Sequence, residues 1–123
     1  MASIVRTSFS NEQVYYKLYS ESQLGAYTSY IRGLRCETED DFFREISASF
    51  QFPWYFGENW AAFDECICDL EWLNFKRFYL VINDFSKMFK GNGKLQEILI
   101  NYLACAVEYW DSLDIPFYIL LNN

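Results

Sequence analysis

The chain has 123 residues, of which 52% are hydrophobic and 21% aromatic, with a formal net charge of -7 and no histidine. Its length is near the commonest size of one domain and its composition is far from that of a disordered chain, so one packed core is expected and a second is not. The negative charge disfavours direct binding to nucleic acid or to an anionic membrane and favours a basic partner.

The acidity is local. From Glu37 to Glu71 there are ten acidic residues and one basic, whereas the rest of the chain carries seven acidic and nine basic. Twelve Phe, ten Tyr and four Trp exceed what a core of this size hides, so some of these rings are expected at the surface, where they offer contact area at low entropy cost.

In chain order, residues 1–24 form an N-terminal extension expected to pack on the main domain, residues 25–123. Val14 to Tyr19 is rich in strand formers and reads as an edge strand added to a central sheet. Ala26 to Ile31 is the next strand, ended by Gly33. Thr38 followed by Glu39, Asp40 and Asp41 predicts a capped helix start, with Phe42, Phe43, Ile46 and Phe50 as its buried stripe.

Pro53 and Gly57 bracket a shaped aromatic loop, with glycine admitting dihedrals closed to other residues. Asn59 caps a helix running to about Leu70. Trp60, Phe63, Cys66, Ile67 and Leu70 face inward on it, leaving Ala61, Asp64, Glu65, Cys68 and Asp69 as an exposed, mostly acidic face. Phe78 to Asn83 reads as a strand covered on both faces. Gly91-Asn92-Gly93 is a turn before a helix from about Lys94 to Trp110, whose inward positions are Leu95, Ile98, Leu99, Tyr102, Ala106 and Tyr109. Pro116 to Leu121 supplies a last strand. Strand, long helix and strand make a right-handed crossover, so the fold class is α/β: a short parallel sheet packed with helices in two or three layers, possibly extended by an N-terminal edge strand.

No enzyme chemistry is legible. There is no histidine base, no phosphate-cradling glycine loop and no nucleophile elbow. Glu65 and Asp69, four apart on one helical face, mainly repel each other on a convex surface. Cys68 lacks a neighbouring cation or base to activate it. Cys36, Cys66, Cys68 and Cys105 fit no metal spacing, so neither a metal nor another cofactor is expected. With no charged-then-apolar leader and no bilayer-length apolar run, a reducing cytoplasm is the expected location.

For binding, the same segment is well composed. Trp54 and Tyr55 offer rigid aromatic contacts, and Glu58, Asp64, Glu65 and Asp69 offer carboxylates to arginine or lysine.

The order Phe-Pro-Trp-Tyr-Phe-Gly-Glu-Asn-Trp-Ala-Ala-Phe-Asp-Glu-Cys-Ile, residues 52–67, resembles the signature of the barstar-like family, and the resemblance extends over about Ala26 to Asn122. It implies a non-catalytic inhibitor that occludes the basic active site of a toxic nuclease, a ribonuclease or another, as an immunity or antitoxin protein. By position, Tyr55 corresponds to an aromatic contact and Glu65 to the acid that mimics an RNA phosphate. An acid on the last helix also contacts the nuclease in the family, and here Glu108 and Asp111 both remain candidates. Ala61 stands where an acid is expected and Asp64 where an aromatic is, which points to diverged recognition. The alternative reading is a regulatory protein-binding module whose partner is not a nuclease.

Overall fold

The computed structural model describes residues 3–123, which contain four strands and four α-helices: β1 (Ile4–Thr7), α1 (Asn11–Gln23), β2 (Tyr27–Arg32), α2 (Glu39–Phe50), α3 (Trp60–Ile67), β3 (Phe78–Asn83), α4 (Gly93–Ser112) and β4 (Phe117–Asn122). The strands form one parallel sheet in the order β1-β4-β3-β2. The fold is therefore α/β with a four-stranded parallel sheet packed against helices, as the sequence predicts.

The two-residue period of β3 sets the layers. Phe78, Leu80 and Ile82 enter the main core with residues of α2, α3 and α4, while Tyr79 and Val81 join Val14, Ala26 and Leu120 on the opposite face. A strand covered on both sides needs apolar residues at every position, which explains the unbroken run Phe-Tyr-Leu-Val-Ile. In register, Phe78 lies beside Phe117, Leu80 beside Ile119 and Val81 beside Leu120.

Val14 to Tyr19 is helical, and the added edge strand is Ile4–Thr7 instead. A capping box decides the outcome locally: the Gln13 backbone N–H donates to Ser10 Oγ at 3.2 Å, and the Ser10 N–H donates to Gln13 Oε1 at 2.8 Å. The two orphan donors satisfied in this way outweigh the weak strand preference of the tyrosines. Asn122, 1% exposed, ties the extension to the end of the sheet. Its Oδ1 accepts from Phe9 N and Thr7 Oγ1, and its Nδ2 donates to Phe9 O and Asn83 Oδ1.

In α4 the inward side differs from the expected one at both ends. Leu99, Leu103, Ala106 and Trp110 are buried, whereas Ile98 and Tyr109 remain 38% and 44% exposed. Of the adjacent aromatics Tyr109 and Trp110, it is Trp110 that takes the core, where its Nε1–H donates to Ile67 O at 2.8 Å.

Gly33 is buried where β2 ends. A Cβ there would lie 2.3 Å from the Asn83 carbonyl oxygen and 2.8 Å from that of Asp84, a clash with backbone rather than with a movable side chain. Gly33→Ala is expected to lower stability by about 2–3 kcal/mol. A urea midpoint equal to that of the parent would contradict this close approach.

Candidate functional site

The site begins with a change of direction after α2. Gln51 closes that helix in the left-handed region at φ 54°, and Phe52 turns inward to pack against Phe50, Phe56, Phe63 and Trp72. Phe56 packs against Phe43 as well and donates its N–H to Pro53 O at 3.0 Å. With Phe52 and Phe56 anchored, the two residues between Pro53 and Phe56 are pushed outward. Trp54 is 95% exposed and Tyr55 62%, edge to face at 5.8 Å.

The left-handed residue of the loop is Glu58, at φ 50°, rather than Gly57. A Cβ on Gly57 would lie 3.2 Å from Asn59 Nδ2, so the glycine gives room to the cap. Asn59 Oδ1 accepts from Ala62 N at 2.8 Å, and Nδ2 donates to Gly57 O at 3.1 Å, so one side chain fixes both the loop and the start of α3.

Trp60 clamps α3 to its neighbours. Its ring stacks on Tyr102 of α4 at 5.2 Å and on Phe42 of α2 at 5.8 Å, while Nε1–H donates to Glu39 Oε2 at 2.5 Å. Phe63, Cys66 and Ile67 are buried as their spacing predicts. On the outer side Ala61 and Glu65 are exposed, but Asp64 and Cys68 are half-buried.

The helix ends at Ile67, earlier than the sequence suggests, because Cys68 leaves helical geometry and Leu70 adopts the left-handed region at φ 51° to bury its side chain. Asp69, exposed, therefore lies beyond the helix and does not share a helical face with Glu65.

The carboxylates of this face are short of internal cations. Among the described residues the ion pairs are Arg32–Glu45, Arg44–Asp41, Arg77–Glu21 and Lys90–Glu37, which leave Glu58, Asp64, Glu65 and Asp69 outside any pair. Arg32 donates to Glu45 through both its guanidinium and its backbone and holds that carboxyl below its ordinary range. Arg32 and Arg44, beside and on α2, are thus already engaged.

The last-helix acids sit elsewhere. Tyr102 and Trp110 mark the flank of α4 that meets α3. Glu108 and Asp111 line a groove of about 610 Å³ on the β1 side, with Ser3, Ile4, Val107 and Pro116. At 100° per residue, Ile98, Cys105 and Tyr109 are exposed α4 positions on the side of Tyr102, which meets α3. Tyr109 was legible only as a core residue, since its spacing fits the apolar stripe.

Cys36, Cys66 and Cys68 are protected rather than activated, each raised first of all by burial. Burial, followed by the charges of Glu45 and Asp41, pushes Cys36 up to about 12. Burial, then Asp64, then Cys105, pushes Cys68 up to about 11. A thiol with a raised folded pKa stabilises the fold fully below its unfolded value near 9 and loses that contribution as pH climbs through the folded value. An alkylating reagent at pH 8 is expected to modify exposed Cys105 first and to reach buried Cys36 only on unfolding. Mass spectrometry with Cys36 modified first in the native protein would refute this order.

No group of three or more His, Cys, Asp or Glu side chains among the described residues could hold a metal ion. No helix among them is long and apolar enough to cross a membrane. A family profile described as Barstar (barnase inhibitor) matches residues 26–122. No curated protein matches the chain.

Proposed function

The chain belongs to the barstar family, whose members are non-catalytic ribonuclease inhibitors, and from that premise we propose that it is an immunity or antitoxin protein that occludes the basic active site of a toxic nuclease. The observation that carries the reading is that Glu58, Asp64, Glu65 and Asp69 stand outside the ion pairs among the described residues, on the same loop-and-helix segment that exposes Trp54 and Tyr55 and is anchored from within by Phe52, Phe56 and Trp60.

The physics of such a surface is two-staged. Unpaired carboxylates set up a negative potential that steers a basic active site into encounter, and the rings then give up their water to hold it. Glu65, exposed in the last turn of α3, is the carboxylate that enters a phosphate-binding subsite as a mimic of the RNA backbone. Tyr55 and Trp54 supply rigid area, and preorganisation by the Asn59 cap limits the entropy lost on docking.

Ala61 removes one charge that the family places on this helix, and Glu108 and Asp111 open onto the far flank of α4. Both support a partner whose basic groups are arranged differently from those met by other family members. Under this reading the nuclease is recognised by this face, and Cys105 and Tyr109 extend it along α4.

The reading is tested by titrating the chain into purified nucleases, a guanyl-specific ribonuclease and any nuclease found encoded beside the chain, while RNA or DNA cleavage is followed. Stoichiometric loss of cleavage of at least one enzyme is expected. Tight binding to a non-nuclease partner with no inhibition of either enzyme would replace the proposal with the regulatory-module alternative.

A further inference from the structure

The solvent side of α1 carries more aromatic surface than its buried side. Tyr15, Tyr16 and Tyr19 are 71%, 69% and 51% exposed, while the inward side buries Val14 and half-buries Leu18. At 100° per residue, Glu12, Tyr16, Tyr19 and Gln23 fall in one stripe about 60° wide, flanked by Tyr15. Amphipathicity of this sense serves the outside of the molecule rather than its core.

We propose that this stripe is the contact face of a symmetric homodimer in which two α1 helices pack antiparallel. The stripe is self-complementary about the midpoint between Tyr16 and Tyr19. A two-fold axis there brings Tyr16 against Tyr19 of a second copy and the Glu12 carboxylate against the Gln23 amide, each contact made twice. The tyrosine pairs gain edge-to-face or offset-stacked contact, and the amide N–H donates to the carboxylate.

Charge favours a second copy, and the exposed rings supply part of the area that one needs. Taking roughly 200 Å² for each aromatic side chain, the exposed parts of Tyr15, Tyr16, Tyr19 and neighbouring Tyr30 give about 450 Å², over half of the ~800 Å² per partner typical of a stable interface. Glu12 and Gln23, both exposed, add to that.

Electrostatics separates this surface from the acidic one. On α1 the charged residues are Glu12, Lys17 and Glu21, the last engaged by Arg77, so the helix is close to neutral. Two chains of net charge -7 meet with least repulsion at a face of this kind. Because α1 covers the opposite side of the sheet from α2, α3 and α4, the dimer leaves the acidic face of each copy free.

Sedimentation equilibrium of the full chain, from micromolar to several hundred micromolar, reads the proposal directly. Twice the chain mass is expected for the parent at tens of micromolar. The chain mass is expected for the double variant Tyr16→Ser, Tyr19→Ser, with unchanged far-UV circular dichroism because both rings are exposed. Tyr30→Ser, at the rim, is expected to weaken association without abolishing it. A monomeric parent across the whole range would overturn the proposal, as would a dimer indifferent to the double variant. Tyrosines that become protected only when a nuclease is added would give the stripe to a different occupant and overturn it equally.

Discussion

Deleting residues 1–24 is expected to cost on the order of 5 kcal/mol, enough to leave the remaining chain largely unfolded at physiological temperature. The reason lies in the second face of the sheet. Tyr79, Val81 and Leu120 point away from the main core and are covered by Val14 of α1, with Phe9 and Leu18 packed beside them. Each fully buried apolar side chain of this size is stabilised by about 1.5–3 kcal/mol, and the entropy regained by the removed segment offsets only part of that loss. Polar losses add to the apolar ones. Asn122 would keep one of its four hydrogen bonds, the one to Asn83, and β4 would lose its pairing with β1. The family match begins at residue 26, so the strand and helix that close this face lie outside it. Urea unfolding of residues 25–123 against the full chain measures the effect. Equal midpoints would mean that the extension is an appendage.

Glu65→Ala is expected to weaken binding to the cognate nuclease by about 2–5 kcal/mol, roughly thirty- to several-thousand-fold in Kd, mostly through faster dissociation. That range belongs to truncating one partner of a desolvated charge pair, where the opposite cation is left buried without its anion. Stability should barely change, because Glu65 is exposed and outside the ion pairs among the described residues, and alanine is a good helix former. Glu58→Ala, in the exposed loop before α3, is expected to act mainly on the association rate and its salt dependence. Surface plasmon resonance at two ionic strengths separates the two effects. A Glu65→Ala complex with the dissociation rate of the parent would remove the phosphate-mimic role.

Where local chemistry and tertiary packing agree, the sequence was readable. Thr38 with its acidic first turn, the Phe42/Phe43/Ile46/Phe50 stripe, Asn59 as a cap and the apolar strands β3 and β4 all sit where composition places them. The failures have physical causes. Tyrosines favour strands only weakly, and the Ser10 capping box with burial of Val14 made a helix of Asn11–Gln23. The end of α3 depends on Leu70 turning into the core through a left-handed backbone, a tertiary effect with no local signature.

The site shows the same division. Outward rings at Trp54 and Tyr55 follow from the anchoring of Phe52 and Phe56, and that alternation is visible in the motif. The placement of Glu108 and Asp111 on the groove side of α4 follows from Trp110 claiming the core, a choice between adjacent aromatics that periodicity alone leaves open.

The central claim is that the acidic face fills the nuclease active site, and competition measures this most directly. Binding of the chain to its nuclease should be followed by calorimetry with and without a saturating, non-cleavable nucleotide that occupies the phosphate-binding site. Mutually exclusive binding is predicted, with apparent affinity falling in proportion to nucleotide concentration and with Glu65→Ala partly relieving the competition. Formation of a ternary complex with undiminished affinity would contradict active-site occlusion and move the contact elsewhere on the enzyme.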